Sequence, residues 1–358
     1  MIYIHVPFCR SFCNYCDFYS ELACAGKSED RMKVYAADLC KEIALRRKEL
    51  ERTTAINTVY LGGGTPSVLP LDVLKEIIAA LPQGSGRDEF TIEVNPDDIV
   101  RKGPEYVREL IKLGVSRVSM GVQTLSDSLL KWMNRRHDAD AARKAFAILR
   151  EAGVTNISLD LIFGITHLSD ETLLAGIRQF IALSPEHISA YQLSIEEGSA
   201  LAQMMERGEY SPASDEQCER QYKLICRELA AAGYEHYEIS NWARPGRRAV
   251  HNAAYWTRHA YIGLGPGAHS FDGQQRSSNS MQLQGWTRSF EQLSEEEILE
   301  EQIMLGLRTS DGISPHICDQ AAVDKLLSEG LLVQTPAGRV RIPEEHFFVS
   351  DNIIADLF

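Results

Sequence analysis

Six times between Ile2 and Leu193 a short apolar run gives way to an amphipathic stretch, and this alternation constrains the fold more than any other feature of the chain. The runs are Ile2–Val6, Thr58–Leu61, Phe90–Val94, Arg117–Val122, Ile157–Ile162 and His187–Leu193, and each reads as a strand. Helical spacing follows at Met32–Leu50, Pro70–Leu81, Pro104–Leu113, Ala141–Ala152, Asp170–Leu183 and Glu216–Ala232. Strand and helix in repetition build a parallel sheet with helices on its faces. Six units predict an α/β fold of the open partial barrel type, (βα)6, short of the eight that close a TIM barrel. In such sheets ligands sit at the carboxyl ends of the strands. The turns of unusual composition all fall there: Phe8 to Phe18 after the first strand, Gly62-Gly63-Gly64-Thr65-Pro66 after the second, Asn95-Pro96 after the third.

Beyond Gly233 the pattern turns aromatic, His-rich and Gly-rich through Phe271, with no clear helical period. Gln274 to Gln284 reads as a linker or surface loop. From about Phe290 a helix over Glu295–Leu307, a second over Ala321–Leu327 and a hairpin at Leu331–Val333 and Val340–Ile342 predict a small winged-helix-like domain. The expected division is a core barrel over 1–232, an extension over 233–289 and a C-terminal helical plus β-ribbon domain over 290–358. The composition, 44% hydrophobic and 24% charged, is that of a globular protein and excludes collagenous and disordered classes. No apolar run is long enough to span a bilayer and the first residues lack an export leader, so a cytoplasmic protein is expected. The net charge is −13, and from Glu291 to Phe358 there are 14 acidic residues against 4 basic ones. Such a surface repels phosphate backbones and argues against nucleic acid as a partner.

Three of the eight cysteines, Cys9, Cys13 and Cys16, fall within eight residues. In a reducing compartment this is no disulfide framework. Three soft thiolates suit an iron-sulfur cluster, or a zinc ion if a fourth ligand joins. His5 lies inside the first strand and Asp17 is a poor fourth ligand; three unligated thiols are the bland alternative. Cys24, Cys40, Cys218, Cys226 and Cys318 carry no spacing signal and read as small buried hydrophobes.

The run Cys9-Arg10-Ser11-Phe12-Cys13-Asn14-Tyr15-Cys16, with the triple glycine downstream, resembles the signature of the radical S-adenosylmethionine (SAM) superfamily. The resemblance implies a [4Fe-4S] cluster on three cysteines, with one iron open for the amino and carboxylate groups of SAM. A fourth cysteine would close the cluster into an electron carrier. It also implies that Gly63, Gly64 and Thr65 contact the SAM amino group and that Glu93 contacts its ribose. Gln123, Arg135 and Asp160 would line the SAM site, and Tyr3 and Tyr15 would flank the cluster or its ligands. One departure is local: after Phe163-Gly164-Ile165 the family usually has a Pro-Gly-Gln-Thr-like turn, whereas this chain reads Thr166-His167-Leu168-Ser169-Asp170.

Over nearly the whole length the chain is similar to the oxygen-independent coproporphyrinogen III oxidase group, which contains true oxidases and heme chaperones. The oxidases carry an additional cysteine two positions after the last cluster cysteine; here that position is Phe18. The segment His251-Asn252-Ala253-Ala254-Tyr255-Trp256 is similar to the chaperones' heme motif. An imidazole can serve as an axial ligand to heme iron, and Tyr255 and Trp256 offer aromatic faces to a porphyrin. The resemblance therefore implies a chaperone that binds heme and delivers it to an acceptor protein, membrane-associated acceptors included, with an electron donor for the cluster. Coproporphyrinogen III oxidase is the enzyme alternative, and a tRNA-modifying radical enzyme is a third that the acidic C-terminal charge disfavours.

Overall fold

The computed structural model describes residues 1–23, 28–52, 56–82 and 86–358; Cys24 lies outside them. The expected strands form as β1 (Ile2–Val6), β2 (Thr58–Gly63), β3 (Glu89–Val94), β4 (Arg117–Gln123), β5 (Ile157–Phe163) and β6 (His187–Gln192). They lie side by side in chain order and all run parallel. Helices Ser28–Leu45, Leu71–Ala80, Pro96–Lys112, Ala139–Ala152 and Asp170–Leu183 connect them, and Asp215–Ala231 follows the sixth. This is the open, partial (βα)6 barrel that the alternation predicts. In β5 every residue except Asp160 is buried, as expected of a parallel strand covered on both faces.

The chain beyond residue 232 completes both edges of the same sheet. Next to β6 it adds an antiparallel pair, β7 (Glu235–Glu238) and β8 (Asn241–Ala243). It then crosses to the far edge, where β9 (Ile262–Leu264) runs parallel to β1. Between the edges lies a helix, Val250–Trp256, in sequence that shows no helical period. Seven residues span too little for a period to be read, and tertiary contacts hold this helix: the carboxylate of Glu89 accepts from the backbone N–H groups of Val250 (2.9 Å) and His251 (3.3 Å).

Two further local expectations are corrected and a third is extended. Gln274–Gln284 is not a loop throughout: β11 (Gln275–Asn279) is the central strand of a three-stranded antiparallel sheet with β10 (His269–Phe271) and β12 (Arg288–Gln292). Its polar composition misleads because Ser277 and Asn279 are buried, and the Asn279 amide donates to Glu42 and to the Gly265 carbonyl. Met32–Leu50 is not one helix but Ser28–Leu45 followed by a separate turn at Arg47–Leu50. The helix expected from Pro104 forms as the second half of Pro96–Lys112: Gly103, with φ of 72°, breaks the run just before Pro104, and a preceding helical stretch starts at Pro96, where the Asn95 side chain accepts from the Asp97 N–H. Helices Glu295–Leu307, Gln320–Ser328 and Ser350–Ala355, with the ribbon of Val333–Gln334 and Val340–Arg341, lie in the C-terminal part.

One carboxylate joins the small sheet to the barrel. Glu42, on the first helix, accepts from the N–H of Gly265 (2.8 Å), the Asn279 amide (2.9 Å) and the Trp286 indole (2.9 Å), and pairs with Arg46. Arg46 in turn donates to the Gly263 carbonyl at 2.7 Å. Truncation would strand several buried donors at once. We expect Glu42→Ala to lower the unfolding free energy by about 3 kcal/mol and Glu42→Gln by less, read from urea denaturation of the apoprotein.

Candidate functional site

The cysteine loop leaves β1 and returns beside it: Phe8–Cys9 pairs with Glu21–Leu22, and the N–H of Glu21 donates to the Pro7 carbonyl at 2.7 Å. Its far side is stitched to the segment after β4. The Asn14 N–H donates to the Met133 carbonyl, and the Asn134 amide, on a residue with φ of 58°, donates to the Phe12 carbonyl at 2.7 Å. Arg135 follows directly, and its guanidinium reaches the Cys13 sulfur at 3.4 Å and the Gly121 carbonyl. Burial pushes the Cys9 thiol up and the Cys16 thiol up to about 11, so metal binding here releases protons, with Arg135 compensating the thiolate charge.

The glycine turn is built against this loop. The Gly64 N–H donates to the Val6 carbonyl (2.9 Å) and the Thr65 N–H to the Phe8 carbonyl (2.8 Å), while the Thr65 hydroxyl lies 3.4 Å from the Cys9 sulfur. A Cβ at Gly64 would sit 2.7 Å from the Val6 oxygen, and at Gly63, where φ is 100°, 2.4 Å from the His5 ring. Glycine is thus required by the protein's own packing as well as by any ligand.

A cavity of about 850 Å³ opens at this edge of the sheet. Cys9, Cys13, Cys16, Tyr15, Gly63, Gly64, Thr65, Glu93, Gln123, Arg135 and Asp160 all line it. That size is in the range of small-molecule and cofactor sites. Glu93 accepts from the Tyr60 hydroxyl (2.7 Å) and the Gly63 N–H (3.2 Å), yet burial pushes its carboxyl up to about 7. Asp160, 3.3 Å from the Ser119 hydroxyl, is pushed up to about 6 by burial against the pull of Arg117. Both carboxyls therefore can hold or release a proton near neutral pH. Gln123 has a φ of 68°, and among the described residues its buried side-chain oxygen has no hydrogen-bond partner, nor has the Arg135 Nε. These unsatisfied groups suit a polar ligand.

Four of the residues singled out in the sequence do not line the cavity. Tyr3 stacks on Tyr60, ring centres 6.1 Å apart, with its hydroxyl 3.1 Å from His5. His251 is fully buried, its Nδ1 2.7 Å from the Thr58 hydroxyl and its Nε2 2.9 Å from that of Tyr255. Trp256 packs under the Arg308 guanidinium, 4.8 Å from ring centre. Conversely, Tyr60, Ser119, Ser189, Tyr191 and Asn252 line the cavity without having been singled out. Ser119, Ser189 and Tyr191 are polar positions in otherwise apolar strands, a period-two signal that could have found them. The departing turn after Gly164 is held by Gln217 and Gln221, which donate to the Ile165 and Leu168 carbonyls, so its shape is fixed from the helix Asp215–Ala231.

Among the described residues no three His, Cys, Asp or Glu side chains converge tightly enough to hold one metal ion. A multi-iron cluster keeps its thiolates further apart than a single ion does, and the three cysteines around one cavity fit that donor set.

A family model for the radical SAM superfamily matches residues 3–179. The heme chaperone HemW of Mycobacterium tuberculosis (strain CDC 1551 / Oshkosh) is 33% identical over 353 residues, covering 92% of this chain and 88% of its own. The heme chaperone HemW of Bacillus subtilis (strain 168) is 32% identical over 326 residues, covering 87% and 84%. Among solved structures, the coproporphyrinogen III oxidase HemN from Escherichia coli, a radical SAM enzyme, matches with a TM-score of 0.80 at 19% identity, over 99% of this chain and 89% of that one. This last is a likeness of fold.

Glu93 has a stability signature. Its folded value of about 7 lies above the ordinary 4.5, so between those values the folded protein keeps a proton that the unfolded chain has lost. Stability therefore falls as pH rises through that window. Glu93→Gln should flatten this fall and make the apoprotein relatively more stable at pH 8 than at pH 5, as read by urea unfolding at the two values.

Proposed function

Because the chain belongs to the radical SAM superfamily and, within it, to the family of the heme chaperone HemW, we propose that it binds heme and hands it to an acceptor protein. Cys9, Cys13 and Cys16 hold a [4Fe-4S] cluster, and SAM occupies the adjoining cavity. The observation that carries the cofactor reading is that the three thiols share one cavity with Gly63, Gly64, Thr65, Glu93, Gln123, Arg135 and Asp160. When bound, the cluster supplies one electron and an open iron to SAM. The chain's own residues do the rest: Arg135 offsets thiolate charge, and the glycine turn lets backbone approach the ligand. Glu93 and Asp160, carboxyls able to hold or release a proton near neutral pH, line the same cavity.

Heme is the cargo. The imidazole of His251 is the axial ligand, and Tyr255 and Trp256 supply aromatic surface. Phe18, at the cavity rim and 65% exposed, stands where the oxidases carry a cysteine, so coproporphyrinogen III is not decarboxylated. A one-electron donor protein serves the cluster. Among the described residues no helix is long and apolar enough to cross a membrane; the acceptors include membrane-associated proteins.

Three measurements on anaerobically reconstituted protein test this. Cys13→Ser should lose the cluster's visible absorbance and most of its iron. Heme titration should saturate at one per chain and weaken at least tenfold in His251→Ala, with no conversion of coproporphyrinogen III in the presence of SAM and reductant. Turnover would make the protein an oxidase, and unchanged heme spectra in His251→Ala would move the ligand elsewhere.

A further inference from the structure

In the folded chain both nitrogens of His251 are engaged. Nδ1 lies 2.7 Å from the Thr58 hydroxyl and Nε2 2.9 Å from the Tyr255 hydroxyl, with no part of the residue exposed. An imidazole can ligate iron only through a nitrogen that is free, so this arrangement is incompatible with heme ligation until the ring or its helix moves. The helix Val250–Trp256 is pinned from three sides. Glu89 accepts from its first N–H groups, Tyr60 packs on the His251 ring at 5.1 Å, and Arg308 lies over Trp256.

One of these connections leads into the cavity: Tyr60, which packs on His251, donates to Glu93 at 2.7 Å. The helix also reaches it directly, since Asn252, the residue after His251, lines the same cavity as Glu93. A carboxamide offers two donors and an acceptor. A nucleoside-type ligand bonded to Asn252 and Glu93 would thus brace the helix and Tyr60 in their present positions, which are the positions that keep His251 inside.

We infer that the helix Val250–Trp256 is a latch, and that an adenosyl ligand in the cavity and heme iron on His251 oppose one another's binding. Tyr60 and Asn252 are its positioning residues. The inference rests on the reading that His251 is the heme ligand. Binding linkage then requires that each ligand weaken the other by the same factor. Heme is taken up when the cavity is empty or its ligand has been consumed, and filling the cavity drives the imidazole back to Thr58 and Tyr255.

The test is a heme titration of the cluster-loaded protein, with and without saturating SAM and with no reductant, so that SAM stays intact. Absorbance reports affinity, and the paramagnetic resonance of ferric heme reports its axial ligand. SAM should weaken heme binding about tenfold, within the usual range of coupling between sites, and should deplete the histidine-ligated signal. Heme should weaken SAM binding by the same factor in equilibrium dialysis. In Tyr60→Phe and in Asn252→Ala the ratio of heme affinities without and with SAM should approach one. A ratio of one, or tighter heme binding with SAM, in the unsubstituted protein overturns the latch while leaving the heme reading intact. A histidine-ligated signal that persists in His251→Ala overturns the heme reading and the latch with it.

Discussion

The site depends on two backbone hydrogen bonds between the glycine turn and the start of the cysteine loop, Gly64 N–H to the Val6 carbonyl and Thr65 N–H to the Phe8 carbonyl. They extend the parallel register of β1 and β2, in which Val6 already faces Gly63, past the end of the sheet. The loop that carries the thiols and the turn that approaches a bound ligand are thereby one unit. Side chains at Gly63 or Gly64 would collide with His5 or with the Val6 and Phe8 backbone, so the junction tolerates only glycine.

Around that junction the barrel interior holds more charge than a core normally accepts. Glu93, Asp160, Arg117 and Arg135 are all within it, and Arg117 has two side-chain nitrogens without an acceptor among the described residues. Burying such groups costs stability unless they are paired. Here burial moves the carboxyls of Glu93 and Asp160 toward neutral pH, and the guanidinium of Arg117 stays charged against the cost of burial because the acidic side chains Glu89 and Asp160 lie near it. Perturbed groups of this kind lining a cavity mark a place built for a ligand.

The sheet edges show how the remainder of the chain serves the same centre. The strands after residue 232 cover the β6 edge and then the β1 edge, so the crossing segment must pass over the barrel, carrying the helix Val250–Trp256. Thr58 and Tyr60 on β2 and Glu89 on β3 receive it. A histidine motif that reads as an independent feature is in this way placed one side chain away from Glu93 in the cavity.

The alternation of apolar runs and amphipathic helices determined the parallel sheet and its order, because buried two-faced strands and one-faced helices have few other ways to hide their apolar sides. The cysteine spacing and the glycine run determined the chemistry at the sheet's carboxyl edge, since local spacing alone brings three thiols around one loop. Polar strands were illegible: β11 reads as a loop because hydrogen bonds to Glu42 and Gly265, not apolar burial, hold Asn279 in place. The helix Val250–Trp256 was too short to announce itself, and Tyr60 and Asn252 became part of the site only through register and through contact across long separations. Only the tertiary structure decided that His251 lies locked between Thr58 and Tyr255: Tyr255 is one helical turn away, but Thr58 comes from a strand 193 residues distant, and no local pattern encodes that meeting.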